Sequence, residues 1–129
     1  MKSRFVAPIL VLLGVSMSAS AQGPDFSNVD SREKVQALYK EGKLEKAYLF
    51  PLELGGHDAE ANIVYLPIGL GQMKKQLDGT VKRFAEEGLI TKLTVEPVYK
   101  GKSFIPSKIV MKGSNPDRKG TFEPVLEVW

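Results

Sequence analysis

The sequence contains no cysteine, one histidine and one tryptophan. Without a thiol the chain can form no disulfide, no thiolate metal site and no cysteine nucleophile, and it cannot carry the lipid of a lipoprotein cysteine. A domain of this size must then be stabilised by its apolar core alone. We expect neither a metal ion nor a cofactor.

Long apolar runs are also missing, apart from residues 6–15. Lys2 and Arg4 precede this run, and Ala19-Ser20-Ala21 follows it as an A-x-A cleavage site. The pattern predicts a signal peptide over residues 1–21, and the absence of an Arg-Arg pair indicates the general secretion pathway of a bacterium. The run is too short for a stable membrane span. We therefore expect cleavage before Gln22 and a product in the periplasm or the medium.

A strong excess of charge of one sign is lacking as well. The formal net charge is +3, and loss of Lys2 and Arg4 with the signal peptide lowers it to +1. Binding to nucleic acid by counterion release depends on a marked excess of positive charge. We expect no nucleic-acid partner.

The remaining chain reads as a flexible segment over residues 22–29 and one domain over residues 30–129. A first helix is predicted from a cap at Asp30 or Ser31 to a stop at Gly42. A second is predicted between Gly69 and Gly88, and Gly79 inside it indicates either close approach of another backbone or a tolerated weakness. The apolar stripe expected to face the core comprises Leu70, Met73, Leu77, Val81 and Phe84, opposite a water-facing set that includes Lys74, Lys75, Lys82, Glu86 and Glu87.

Alternation of apolar and polar residues predicts strands over residues 44–54, 62–66, 89–99, 103–112 and 121–129. The resulting order is α-β-β-α-β-β-β. Strands joined by short turns, with only two helices, favour an α+β fold: a single small domain with one antiparallel sheet of about five strands.

Two strand registers follow from the alternation. A hairpin closed by Lys100-Gly101-Lys102 would pair Leu93 with Ile109 and Tyr99 with Ser103, placing the odd-numbered apolar residues on one face. The last strand would place two glutamates opposite two lysines and so neutralise much of a basic stripe; the pairs are Lys108 with Glu127 and Lys112 with Glu123.

The opposite sheet face is not cleanly polar. Either the first helix or the N-terminal segment covers it, or it forms a surface for a partner or a second copy of the chain, so homo-oligomers stay possible. Its apolar residues are Leu49, Val64, Leu66, Val98, Phe104, Val110 and Val125.

His57 lies in a polar turn beside Asp58 and Glu60, which could orient it or share a cation with it. No HExxH or comparable ligand spacing accompanies these residues, the chain has no G-x-S-x-G or P-loop motif, and the region of Ser103, Ser107 and Ser114 carries no Ser-x-x-Lys motif. Gly69-Leu70-Gly71 is interpreted as a bend entering the second helix. We therefore assign no catalytic residue and no metal ligand.

The sequence favours an exported, non-enzymatic binding or interaction module of the bacterial cell envelope, and an inhibitor or immunity-type protein is the more specific version. Its partner would be a protein or another envelope component. The alternative is a small periplasmic hydrolase that uses the His57 turn. The residues expected to contact a ligand or partner are His57, Asp58, Glu60, Lys100, Lys102, Phe104, Arg118 and Lys119.

Overall fold

The computed structural model describes residues 23–129, so the predicted signal peptide and Gln22 lie outside the described residues. No helix within this part is long and apolar enough to cross a membrane. The helices are α1 (Arg32–Lys40) and α2 (Leu70–Glu86), and the strands are β1 (Leu44–Tyr48), β2 (Ile63–Pro67), β3 (Lys92–Tyr99), β4 (Pro106–Ser114), β5 (Thr121–Phe122) and β6 (Val125–Glu127).

The strands form two antiparallel sheets. Among residues 23–129, β1 pairs only with β2, whereas β4 pairs with β3 on one side and with β5 and β6 on the other. The α+β class is confirmed, but the single sheet expected from the sequence is wrong. Both edges of β4 are already used, and Pro97 on the outer strand β3 has no N–H for a further partner.

Both helices begin and end close to the predicted positions. The Ser31 hydroxyl accepts a hydrogen bond from the Lys34 N–H at 3.2 Å, as an N-cap does. Gly42 and Gly88 follow the two helices with φ of 78° and 76°, a conformation that glycine adopts without strain. A Cβ added at Gly79 would meet no atom within 4 Å, so this glycine is a tolerated weakness and not a close approach.

The face assignment of α2 is wrong at two neighbouring positions. Met73, predicted for the core, is 49% exposed, whereas Lys74, predicted for the water face, is 2% exposed. The Lys74 ammonium donates hydrogen bonds to the Leu49 carbonyl at 2.8 Å and to the Asp78 carboxylate at 2.7 Å. These two acceptors make its burial possible.

The core lies between α2 and the two sheets. Phe84 of α2 packs edge-to-face on Phe122 of β5, with ring centroids 5.1 Å apart, and the helix also contacts β1 and β2. The odd-numbered residues of β4 enter this core, as the alternation predicts. The best-buried apolar side chains include Leu44, Leu66, Val81, Ile105, Ile109 and Met111.

The register of the β3–β4 hairpin differs from the prediction by four residues. Leu93 lies opposite Gly113 and not Ile109, and Tyr99 lies opposite Pro106 after a bulge. The shift is even, so the same faces meet. The loop is longer than predicted because the Ser103 hydroxyl bonds the backbone of Ile105 and thereby keeps this segment out of the ladder.

The first predicted strand ends at Tyr48 and not at residue 54. The side-chain amide of Asn62 bonds both backbone groups of Phe50, and Leu52–Leu54 forms a 3₁₀ turn. Pro51 cannot donate to a ladder, so the chain leaves the sheet at this point.

The last strand keeps its predicted register but is divided at Pro124. Lys108 lies opposite Glu127, as expected. Among the described residues, however, the ion pairs with N···O distances up to 4 Å do not include this pair. The register is confirmed, whereas the expected neutralisation of Lys108 by a close contact is not observed.

The apolar residues predicted for the second sheet face belong to different surfaces. Val64 and Leu66 are buried in the core, whereas Val98, Phe104 and Val125 are exposed. The division follows from the two sheets, since β2 contributes inward-facing residues and the large sheet keeps part of its outer face open.

The segment predicted to be a flexible lead-in packs against the rest of the domain. The Phe26 ring packs edge-to-face on Trp129 at 6.0 Å, and the Val29 carbonyl accepts a hydrogen bond from the Phe104 N–H at 2.7 Å. The segment is thus attached to the loop that joins β3 and β4.

Candidate functional site

A groove of about 460 Å³ runs between α1, the turn that enters β2, and the loop after β3. We call it the aromatic groove. The residues that define it are Arg32, Asp58, Glu60, Tyr65, Tyr99 and Phe104. It brings together Asp58, Glu60 and Phe104, three of the residues predicted from the sequence.

The two carboxylates of the aromatic groove already have partners. The Tyr48 hydroxyl donates a hydrogen bond to Asp58 at 2.9 Å, and Arg32 forms an ion pair with Glu60. The bond to the Asp58 carboxylate raises the pKa of Tyr48 because it favours the protonated phenol. In the described part of the chain, no group of three or more His, Asp or Glu side chains is placed to hold a metal ion.

His57 is not brought together with Asp58 and Glu60 in this groove. It borders an adjoining cavity of about 440 Å³, which shares Ala59 with the groove and whose other walls include Phe50 and Ala61. The role that the structure shows for His57 is that of a backbone acceptor, since its carbonyl takes a hydrogen bond from the Asn62 amide at 3.0 Å.

Asn62 and Gly56 determine the shape of the turn that carries the carboxylates. The Asn62 amide also donates to the Phe50 carbonyl at 3.0 Å and accepts from the Phe50 N–H at 2.8 Å. A Cβ on Gly56 would lie 2.2 Å from the Phe50 carbonyl oxygen, so only glycine fits there. These contacts fix the path of the loop into the turn that carries Asp58 and Glu60 at the edge of the aromatic groove.

The aromatic walls of the groove are open to solvent. Tyr99 is 45% exposed and Phe104 is 50% exposed. Partial burial raises the pKa of Tyr99 above its ordinary value of 10.0 because it disfavours the phenolate. Tyr65 packs edge-to-face on Tyr39 of α1 at 5.1 Å, and the bond from Phe104 to Val29 fixes the loop backbone.

The basic candidates lie away from the aromatic groove. The Lys100 ammonium lies 4.7 Å from the centroid of the Trp129 ring, where a cation–π interaction is favourable, and Lys102 is exposed in the same loop. Arg118 and Lys119 border a second groove of about 510 Å³ between the end of α2 and β5. We call this the basic groove. The eight predicted contacts are therefore divided among four places.

Sequence reasoning missed Arg32 and Tyr99 as groove residues. Arg32 lies in the first turn of α1 with no motif around it, and the alternation of β3 predicts Tyr99 for the core face. Their only sequence signal is the enrichment of arginine and tyrosine at interfaces, which selects no particular position.

Glu45 was also missed, and it explains the Gly69-Leu70-Gly71 bend. Its carboxylate accepts hydrogen bonds from the N–H groups of Gly69 and Gly71 at 2.5 and 3.2 Å. The N-terminus of α2, where a phosphate could bind in other proteins, is therefore occupied by a side chain of β1.

No family model matches the chain, and no curated protein or solved structure matches it. The functional argument therefore depends on the grooves and on the residues that form them.

Proposed function

We propose that the protein is an exported, non-enzymatic interaction module that binds a segment of a protein partner in the aromatic groove. The observation that carries this proposal is the composition of the groove: two half-exposed aromatic rings, Tyr99 and Phe104, line a cleft of about 460 Å³ together with Arg32 and two carboxylates.

Tyrosine and arginine are enriched among residues that dominate binding energies at protein interfaces. In the groove the Phe104 backbone is bonded to Val29, which holds this part of the loop in place before any partner arrives. A site with such fixed contacts loses less conformational entropy on binding.

The alternative, a hydrolase that uses His57 with Asp58 or Glu60, receives less support. A general base has to lie within hydrogen-bond reach of its partner groups, yet among the hydrogen bonds of residues 23–129 none joins the His57 side chain to either carboxylate. We expect a His57→Ala variant to bind its partner unchanged. A hydrolytic activity that this variant loses would favour the enzyme.

Export is supported by the sequence of residues 1–21. We expect protein recovered from the periplasm or the medium of a bacterial host to begin at Gln22. Amino-terminal sequencing of that fraction tests this expectation. Protein that retains Met1 and is found in the cytoplasmic fraction would contradict export.

Partner binding is tested with two matched double variants. Tyr99→Ala/Phe104→Ala removes the aromatic walls, whereas Ile68→Ala/Met73→Ala removes two exposed apolar side chains outside the residues that line the groove. Proteins captured from envelope extracts by the wild type are purified, and their affinity for all three forms is measured by calorimetry.

We expect a saturable complex that the groove variant weakens by roughly 2 kcal/mol or more, the size typical of interface hot spots, and that the control variant leaves unchanged. If both variants weaken binding equally, the capture is due to nonspecific adsorption on exposed apolar surface. If the purified partner is an enzyme whose activity falls on binding, the inhibitor or immunity version is supported.

A further inference from the structure

The basic groove lies apart from the aromatic groove and takes no part in the function proposed above. We propose that it binds a small anionic amphiphile, a soluble molecule with a phosphate or carboxylate head and a short apolar tail. Its walls combine the aromatic rings of Phe84 and Phe122 and the side chain of Leu89 with the cationic residues Arg118 and Lys119.

The apolar part is a preformed surface. The rings of Phe84 and Phe122 fix each other in an edge-to-face contact at 5.1 Å, and Leu89 is exposed beside them. Ile90 lies beneath, where Gly113 leaves it room: a Cβ on this glycine would be 2.6 Å from the Ile90 side chain. An alkyl chain bound here would cover carbon surface that now faces water.

The turn that carries the two cations is held to the end of α2. The Asn115 amide donates to the Gly88 carbonyl at 2.8 Å, and the Arg118 N–H donates to the Asn115 carbonyl at 3.0 Å. The turn thus places the exposed residues Arg118 and Lys119 in the same groove as the partly buried Phe84 and Phe122.

The charges at this rim are complementary to an anion. Neither Arg118 nor Lys119 takes part in the ion pairs formed within residues 23–129. A third cation, Arg83, lies over the Phe84 ring at 5.5 Å. Of the nearby carboxylates, Glu123 accepts a hydrogen bond from the Thr121 hydroxyl, and Asp117 lies in the turn itself. Arg118 and Lys119 are the charged residues that line the groove, so the lining itself carries positive charge.

The size of the groove favours a single small molecule over a membrane surface. Its volume of about 510 Å³ falls within the range usual for small-molecule sites. A phosphate or carboxylate head would bond Arg118 and Lys119 at the rim, and the tail would lie along Phe84, Leu89 and Phe122. Guanidinium and ammonium groups both bind such oxyanions well.

The test is a titration followed by backbone amide NMR, with octyl phosphate as the probe and inorganic phosphate and octanol as its two halves. It uses the wild type, the variant Arg118→Ala/Lys119→Ala, and a control of equal charge change, Lys100→Ala/Lys102→Ala. We expect saturable shifts at residues 84–90 and 118–122 with octyl phosphate in the wild type and the control. The Arg118→Ala/Lys119→Ala variant should bind it roughly tenfold more weakly, as expected for lost charge-assisted hydrogen bonds.

Three results would overturn the proposal. One is the absence of saturable shifts in the wild type, and another is equal weakening in the two variants. The third concerns the source of the anion. If the protein co-sediments with phosphatidylglycerol vesicles but does not bind free octyl phosphate, and Arg118→Ala/Lys119→Ala abolishes the co-sedimentation, the groove is a membrane contact. Weaker binding of inorganic phosphate and of octanol than of octyl phosphate supports a site that recognises both head and tail.

Discussion

Replacing Asp78 with alanine would leave a buried ammonium with one acceptor fewer. Lys74 is 2% exposed, and its ammonium has two bonds, to Asp78 at 2.7 Å and to the Leu49 carbonyl at 2.8 Å. Removing one partner of a buried ion pair typically costs 3–5 kcal/mol. Because the Asp78 side chain keeps 16% exposure and water can approach it, we expect the lower end, about 3 kcal/mol.

The matched change is Lys74→Met, which keeps a long side chain but removes the charge. It leaves Asp78 partly in contact with water, so we expect a smaller loss, about 1–2 kcal/mol. The double variant Lys74→Met/Asp78→Ala no longer buries a poorly partnered charge and should be more stable than Asp78→Ala alone. Urea unfolding followed by circular dichroism measures all four free energies of unfolding.

The pH dependence provides a second readout of the same arrangement. Burial lowers the pKa of Lys74, and the Asp78 carboxylate opposes that shift. Between the lowered folded pKa and the ordinary value of 10.5, the unfolded chain binds more protons, so stability rises with pH. Without Asp78 the rise between pH 7 and pH 9.5 should be steeper than in the wild type. An Asp78→Ala protein that loses under 1 kcal/mol, or a double variant less stable than it, would refute the reasoning.

Two further predictions concern glycine and tyrosine. Gly79→Ala should stabilise the protein by up to about 1 kcal/mol, because the site is open and alanine favours the helix. Gly71→Ala should destabilise the protein, since its Cβ would lie 2.7 Å from the Glu45 carboxylate that caps α2. Thermal unfolding of both variants tests these two expectations. Tyr48→Phe removes the hydrogen bond to Asp58. The contribution of this bond to the stability of the fold is fully present below pH 10 and is lost as the pH rises through the raised pKa of Tyr48. The wild type should therefore exceed Tyr48→Phe in stability at pH 8 and approach it at higher pH, and equal stability at pH 8 would contradict the assignment.

Local signals predicted the helix ends and the inward face of β4 well. Ser31, Gly42 and Gly88 mark helix ends by chemistry that acts within a few residues. Alternation placed Ile109 and Met111 in the core, because side-chain direction along a strand depends only on parity. Parity cannot detect a shift of four residues, which is why the hairpin faces were predicted correctly and its register was not.

Features that depend on distant partners could not be read in the same way. Lys74 counts as polar in any helical pattern, and its burial depends on the Leu49 carbonyl, 25 residues earlier. The site shows the same limit: Asp58 and Glu60 were predicted, but the partner Arg32 and the facing ring of Tyr99 come from separate parts of the chain. No local sequence pattern predicts that these residues lie together, since their proximity arises from the packing of α1 and the loop after β3.

Glu45 has a consequence for the cooperativity of local opening. The first turn of a helix normally exchanges its amide hydrogens early, because those groups fray without disturbing the rest of the fold. Here the amides of Gly69 and Gly71 are bonded to a side chain that lies 24 and 26 residues earlier, on β1. Their exchange with solvent then requires release of the Glu45 carboxylate, which is linked to the small sheet through β1, and the helix also contacts both strands of that sheet. The amino-terminal end of α2 and the β1–β2 hairpin should therefore open together, as one unit of local unfolding.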